Sequence, residues 1–549
     1  MRTVVDQIVG KAGGPGALTI LGDDAGVLAH EPWAQVHRRA RRMAAVLGER
    51  GLGPGCRVGL VADTGVDLVC ALQAVWLRGG AITLMPPHPR GGTPSHVEYL
   101  RAVTAHARLQ LLVVDEQWRE HDLGAPLLAL PELSEQARAA AEAAPLLPDP
   151  GDLALLQYTS GSTRAPRGVP VTHRHLAANV EAIKAVLGHD RPHEGRTYSW
   201  LPLYHDMGLI AFFTMPMSCG CPLLLQSPAS FARRPVSWLQ ALSEHRVTLS
   251  GAPNFAYALM ARLLAGRVGL DLSAVQCLIS GGEPVDAAMM DHFLAQAAPF
   301  GLAADVVMPA YGLAEATLCV TAARWRTGMR QDWIDQGALE AVGRAVPCPR
   351  GQGRPLVSVG PPMRGTSVRV TDRVTGAALP DRQVGQVEVR GPSVVGHYWG
   401  EPAPPEGSWL RTGDLGYLTA GELVVCGREK DVLFAAGRNI YPQDVEAVAA
   451  QVPGVRPGGA AAFGVSNQDI ERMVVAVEAR AEDAAAVRRQ VAAAVLDEIN
   501  LSAEVIVVPF GALPKTSSGK LRRAEARRGY LAGELIPQSP PRVAEMERT

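Results

Sequence analysis

Apolar and polar positions switch between two periods along the first third of this 549-residue chain. QVHRRARRMAAVLGER has helical spacing, RVGLVAD is a short apolar strand, LVCALQAVWLRG is helical again and AITLMP returns to strand. Strand, helix, strand with short links predicts parallel βαβ units in a layered α/β domain. SEQARAAAEAAPLLPDPGD reads as an Ala-rich helix followed by a proline-marked loop. Downstream, PVTHRHLAANVEAIKAVLG predicts a helix with Thr172 at its N-cap and Gly188 at its C-terminal stop. The run 209–226 is nearly uncharged and approaches membrane-spanning length, but Pro216, Gly220 and Pro222 interrupt it. It therefore predicts a buried helix–turn–strand segment rather than a membrane span.

From about 356 to 430 the texture changes to short strands separated by turn residues (SVRVTD, VGQVEVRG, ELVVCGR), which predicts a β-rich subdomain. After Asp431 a smaller α+β unit is expected, with a helix from Pro442, an Ala-rich helix near 483–497 and strands MVVAVEA and EVIVVP. PQSPPRVAEMERT at the end reads as a disordered tail. Such a length is too great for one core. The expected division is a large unit over 1–430, a small mobile unit over 431–536 and a tail over 537–549.

Charge and cysteine usage narrow the class. Lys+Arg 53 against Asp+Glu 54 leaves a formal charge of -1, with no basic excess to attract nucleic acid. Cys219 and Cys221 form C-x-C in an apolar run, a poor match to zinc or redox spacing, so the 8 cysteines are expected to be buried thiols in a reducing compartment. The start, MRTVVDQIVGKAGGPG, lacks a continuous apolar core of the signal-peptide kind. A cytoplasmic protein is expected.

Candidate chemistry concentrates in LQYTSGSTRAPRGVPVTH (155–172). Thr159, Ser160, Ser162 and Thr163 offer hydroxyls, and Gly161 and Gly168 free the backbone to turn amides inward. Such donors converging on one point make an anion nest. Arg164 and Arg167 add fork-shaped donors suited to phosphate oxygens. The Walker pattern G-x-x-x-x-G-K-[ST] is absent.

YTSGSTRAPRG resembles the phosphate loop of the adenylate-forming superfamily: acyl-CoA synthetases, peptide-synthetase adenylation domains and luciferases. WLPLYHDMGLI, SGGEPV, PAYGLAEATL, RTGDLG, GREKDVL, GRNIYPQDVE and LPKTSSGKLRR follow in that family's order, from about 155 to 523. The resemblance implies attack of a carboxylate on the α-phosphate of ATP, giving acyl-adenylate and pyrophosphate, and then transfer of the acyl group to a thiol. It implies that loop 159–168 holds the β- and γ-phosphates, Glu315 holds Mg²⁺, and Tyr311 with Gly312 lies along adenine beside Gly281, Gly282 and Glu283. Asp414 would accept from the ribose hydroxyls with Arg428 nearby, and Lys520 would bridge the substrate carboxylate and the α-phosphate. Lys430 and Asp431 fall at the implied hinge, and Gly437 on the side from which the thiol enters. His205 would stand at the mouth of the acyl pocket, the other reading being a core histidine bonded to backbone. Asp206 is expected to cap the following helix, and the pocket walls to come from 205–225 and 250–260.

Several details resemble the fatty acyl-AMP ligase branch, including LQYTSGSTR, YGLAEAT with Ala314, and GRNIYPQD. That branch implies a fatty or other lipophilic acid and a carrier-protein phosphopantetheine as acceptor. Residues 329–356 stand where the branch carries an insertion that hinders free CoA. An acyl-CoA ligase, including one that only thioesterifies a supplied adenylate, is the competing expectation; a luciferase-like oxygenase or a non-catalytic relative is a third. Arg167 and Ile440 depart from the residues usual in relatives, and Arg167 could either assist the leaving pyrophosphate or crowd it.

Overall fold

A computed structural model describes residues 2–87, 93–158, 166–188, 195–435, 438–467, 470–516 and 520–535. Two sheets dominate the larger part. The first has six strands in the order Leu127–Ala129, Leu111–Val114, Arg57–Val61, Ala81–Leu84, Leu153–Tyr158 and Gly168–Thr172. Its pairs are parallel except the last, which is antiparallel. Helix Val66–Leu77 crosses between two of these strands, and all its residues from Leu68 to Leu77 are buried. A helix apolar on every side belongs inside, between layers.

The second sheet has eight strands, in the order Cys319–Ala322, Val307–Gly312, Cys277–Gly281, Leu249–Ala252, Thr197–Ser199, Leu223–Gln226, Ala17–Leu21 and Val27–Pro32. Leu249–Ala252, Cys277–Gly281 and Val307–Gly312 run parallel. Their carboxyl ends carry Asn254, Glu283 and Tyr311 to one rim, the side on which open α/β sheets bind ligands. A four-stranded antiparallel sheet follows: Ser367–Thr371, Gly385–Arg390, Leu410–Thr419 and Glu422–Arg428. After it come the strands Ala460–Asn467, Ile470–Glu478 and Ala503–Val508. Helices Pro442–Ala450 and Ala484–Ile499 pack on one face of that last sheet and Arg523–Leu531 on the other, each face with its own apolar cluster. The protein is thus an α/β molecule of layered sheets with a smaller α+β unit at its C-terminal end.

Local signals account for much of this. Thr172 caps helix His173–Leu187 by accepting from the His175 amide, and Gly188 ends it at φ +68°. His175 returns the bond to the cap, and His173 is fully buried, held near a pKa of about 4 by desolvation. The uncharged run 209–226 forms the expected buried helix–turn–strand, though its first turns are a wide π-helix, Met207–Thr214. Among the described residues no helix is long and apolar enough to cross a membrane.

Two expectations need correction. Gly168–Thr172 is a buried strand paired with Leu153–Tyr158, so Gly168 is not a free loop glycine. A Cβ there would lie 3.0 Å from the Tyr158 ring, closer than side chains ordinarily pack. All eight cysteines are free as expected, but Cys56, Cys219 and Cys348 are only half-buried.

Candidate active site

Of the anion nest read from the sequence, Thr159, Ser160, Gly161, Ser162, Thr163 and Arg164 lie outside the described residues, as does Gly437. The described flanks are Tyr158 before the loop and Arg167 and Gly168 after it. Tyr158 and Gly168 are register partners, so the strand pair brings the loop's two ends together.

Lys520 enters this region from the small C-terminal unit. Thr516 and Lys520 tie the base of its turn: the Thr516 amide donates to the Lys520 carbonyl at 2.7 Å, and the Lys520 amide to Thr516 Oγ1 at 3.0 Å. Lys520 Nζ reaches 3.4 Å from His205 Nε2. His205 Nδ1 in turn lies 2.7 Å from Asp206 Oδ1. The Met207 amide also approaches Nδ1, at 3.3 Å, so the ring is held on one edge while Nε2 faces the ammonium. Asp206 also accepts from the Met207 amide at 2.7 Å, the expected helix cap. Among the described residues the His205 side chain thus has one backbone contact, from the Met207 amide, and it keeps 26% of its exposure.

Gly282 makes room for Lys520. Its φ is +86°, and a Cβ there would stand 3.0 Å from Nζ and 3.1 Å from Cε. Glu283, the next residue, is anchored by the Asn254 amide at 2.8 Å. Burial raises the Glu283 pKa, opposed by Lys520, and lowers the Lys520 pKa, opposed by Asp206 and Glu283. Burial resists ionisation of Asp206 too, yet His205 and Lys520 outweigh it and hold the carboxyl below its usual value.

Tyr311, Asp414 and Arg428 form a second group. Asp414 and Arg428 are cross-strand partners, with Arg428 Nε 3.3 Å from Asp414 Oδ1. Tyr311 donates to Asp414 Oδ2 at 2.6 Å across 103 positions of chain. Desolvation raises the pKa of Asp414, only 6% exposed, while Arg428 and Tyr311 pull it back. Arg428 also opposes the charge on Lys520, which links the two groups.

Glu315 is set by an unusual backbone. After a bulge at Tyr311/Gly312 the chain folds so tightly that a Cβ on Gly312 would be 1.8 Å from the Leu318 carbonyl oxygen. The 3₁₀ turn Ala314–Ala316 then ends at Thr317, whose φ of +69° and ψ of −60° are strained for a β-branched residue. Thr317 Oγ1 holds that geometry by donating to the Ser393 carbonyl at 2.7 Å. The Glu315 carboxylate accepts a short hydrogen bond from the Tyr398 hydroxyl. Among the described residues no cluster of three or more His, Cys, Asp or Glu forms a protein-only metal cage. A single carboxylate can still take part in holding Mg²⁺, which is usually bound by one or two carboxylates, substrate phosphates and water.

Lys430 and Asp431 lie in the 3₁₀ turn Glu429–Asp431, between the last strand of the β-rich sheet and the small unit. Arg523, three residues after Lys520, donates to Glu446 at 2.7 and 2.6 Å and to Asp431 Oδ2 at 3.3 Å. Segment 329–356 folds as strand Gln331–Ile334, helix Gln336–Val342 and strand Arg354–Val357. It grips the small unit: Arg438 Nη1 donates to Glu340 Oε2 at 3.0 Å, and Arg354 pairs with Asp444. Tyr398, Arg523 and Glu446 were not singled out from the sequence. Glu446 and Arg523 lie inside quoted motifs, but nothing local pairs residues 77 positions apart.

Known proteins resemble the chain along nearly its whole length. The family model described as AMP-binding enzyme matches residues 29–399, and that of the AMP-binding enzyme C-terminal domain matches 437–528. The long-chain-fatty-acid–AMP ligase FadD26 of Mycobacterium marinum is 36% identical, over 91% of this chain and 91% of its own. A solved structure from a study of fatty acyl-adenylate ligases of E. coli and L. pneumophila superposes with a TM-score of 0.88 at 31% identity, covering 97% of this chain and 98% of that one. A fatty acyl-adenylate ligase of L. pneumophila in complex with acyl adenylate and pyrophosphate superposes at 0.73 with 28% identity, covering 97% and 96%. With both family models matched in order, this chain belongs to the AMP-binding enzymes.

Proposed function

We propose that the protein activates a lipophilic carboxylic acid as its acyl-adenylate and passes the acyl group to the phosphopantetheine thiol of an acyl carrier protein. The observation that carries this reading is the delivery of Lys520 from the small unit to His205, opposite the bare backbone of Gly282. The full-length likeness to fatty acyl-AMP ligases supports it.

In the first step a carboxylate oxygen attacks the α-phosphorus of ATP, the bond to the bridging β-phosphate oxygen breaks, and its electron pair leaves with pyrophosphate. Two anions must meet, so placing positive charge between them lowers the barrier most. Lys520 supplies that charge at the carboxylate and α-phosphate. Loop 159–168 receives the β- and γ-phosphates. Asp414, held by Tyr311 and Arg428, accepts from the ribose hydroxyls, and Gly281, Gly282 and Glu283 border the base with Tyr311 and Gly312. Glu315 would hold Mg²⁺, which supplies charge neutralisation on the triphosphate. His205 stands at the mouth of the acyl pocket, with walls from 205–225 and 250–260. In the second step the thiol sulfur attacks the carbonyl carbon, and AMP departs with the electrons of the anhydride bond.

Residues 1–430 act as the large unit and 431–536 as the small one, with Lys430–Asp431 as hinge and Gly437 on the thiol side. The Arg523–Asp431 contact is placed to link the Lys520 turn to that hinge. Free thiols throughout and dependence on ATP fit a cytoplasmic location.

The test is incubation with ATP, Mg²⁺ and a panel of acids, followed separately by carrier protein bearing phosphopantetheine and by CoA. Acyl-adenylate with pyrophosphate, then loading of the carrier, is the expected result. No adenylate with any acid class would overturn the reading. Acyl-CoA formation without carrier loading would replace the acceptor.

A further inference from the structure

The outgoing limb of the phosphate loop and the turn that carries Glu315 are joined by one short stretch of chain, residues 393–401. Its first contact is at Thr317, through the Ser393 carbonyl described above. Its next two bind the backbone of Glu315 itself: the amides of Val395 and Gly396 donate to the Glu315 carbonyl at 2.8 and 3.4 Å. Tyr398 then reaches the Glu315 carboxylate through its hydroxyl. One residue later the Trp399 amide donates to the Gly168 carbonyl at 2.7 Å.

Arg167 closes the arrangement. Its guanidinium carbon stands 3.5 Å from the centroid of the Tyr398 ring, and its Nη2 is 3.7 Å from Glu401 Oε1. Glu401 is itself tied back to Tyr398, whose amide donates to Glu401 Oε2 at 3.3 Å, while the Glu401 amide donates to the Tyr398 carbonyl at 2.9 Å. A planar guanidinium can stack on a ring face and meet a carboxylate at its edge at once; a lysine ammonium offers no such plane.

We propose that Arg167 and Tyr398 are positioning residues: Arg167 clamps the Tyr398 ring, and the Tyr398 hydroxyl selects one orientation of the Glu315 carboxylate relative to the strand that opens at Gly168. The proposal rests on the reading of Glu315 as the carboxylate that meets the ATP–metal complex. It gives Arg167 a use that does not depend on direct contact with phosphate. The Tyr398 bond occupies one carboxylate oxygen, so the other is presented in a set direction. Glu315 is separated from Tyr398 by 83 positions, and no local signal pairs them.

The test compares wild type with Tyr398→Phe, Arg167→Ala and Arg167→Lys, measuring calorimetric binding of a non-hydrolysable ATP analogue with Mg²⁺ and, separately, with chelator. Melting temperatures check that each variant is folded. For Tyr398→Phe and Arg167→Ala the expected result is an affinity for the Mg²⁺–analogue complex lowered about tenfold, the usual worth of a hydrogen bond to a charged group. Metal-free binding stays within roughly twofold of wild type, and Arg167→Lys falls between. The Mg²⁺ concentration giving half-maximal adenylation should rise in the same order. Unchanged Mg²⁺–analogue affinity in both Tyr398→Phe and Arg167→Ala, or equal loss with and without metal, would overturn the proposal. If wild type binds the analogue in neither condition, the ATP-dependent reading itself fails, an outcome visible before any variant is compared.

Discussion

Lys520 Nζ and His205 Nε2 lie 3.4 Å apart although 315 positions of chain separate them. Lys520 rides on a turn of the small unit, and His205 precedes the first turn of a buried helix in the large one. Contact between them joins the two units across the rim of the eight-stranded sheet. Asp206 stands behind His205, its Oδ1 2.7 Å from Nδ1, so the ring that meets Lys520 is itself held in place.

Lys520→Ala is expected to slow acyl-adenylate formation by about 10²–10³-fold, the cost of removing one preorganised charge-stabilising group. Thioester formation from supplied acyl-adenylate should fall by less than about tenfold. The two half-reactions are measured separately, by pyrophosphate release and by acyl transfer. Equal losses in both would contradict the role given to Lys520.

Burial lowers the Lys520 pKa below the ordinary 10.5, with Arg428 adding to the effect and Asp206 and Glu283 opposing it. The charged form is the one folding disfavours. Its penalty is therefore present at neutral pH and is relieved as pH rises through the folded value toward that of the unfolded chain. Adenylation needs the charged form, so its rate should fall on the alkaline side below the usual lysine range. The residual activity of Lys520→Arg, whose guanidinium does not titrate there, should show no such limb. A pH–rate profile of the first half-reaction decides the matter.

Gly282→Ala places a methyl group against Lys520 and puts a side chain on a backbone at φ +86°. The conformational cost is about 1–2 kcal/mol of stability. Adenylation should drop further than that stability loss explains, because Lys520 can no longer seat. Thermal melting together with the pyrophosphate assay separates the two effects; normal adenylation in the folded variant would show that Lys520 is seated elsewhere during the reaction.

Tyr311→Phe removes the 2.6 Å hydrogen bond to a carboxylate that is nearly fully buried. Nucleotide affinity is expected to fall about tenfold, in line with losing a bond to a buried charge. Tyr311 favours the ionised form of Asp414, so its loss raises that pKa further and moves the acid limb of AMP binding to higher pH. Titration calorimetry of AMP across the acid range tests both parts.

Local elements were readable wherever one short-range preference dominated. The Thr172 cap, the Gly188 stop and the strand–helix–strand run from Arg57 to Leu84 follow from side-chain chemistry and periodicity within a few residues. Gly168 was misplaced because glycine next to arginine and proline looks like loop, whereas its reason lies across the strand pair, in the Tyr158 ring. Arg167 could be named as unusual but not interpreted, since its partner Tyr398 lies far along the chain, in the connection between strands Gly385–Arg390 and Leu410–Thr419.

The sequence by itself determined the α/β class, the order of elements and, through eight motifs in a familiar order, the residues that carry the proposed chemistry. Periodicity and caps are local, and motif residues keep their types whatever surrounds them. The tertiary structure decided which of those residues meet. Lys520 meets His205 beside a bare glycine, Asp414 is shared by Tyr311 and Arg428, and Glu315 is hydrogen-bonded by Tyr398. Those pairings depend on how distant strands stack and where one unit docks on another, and no spacing along the chain encodes them.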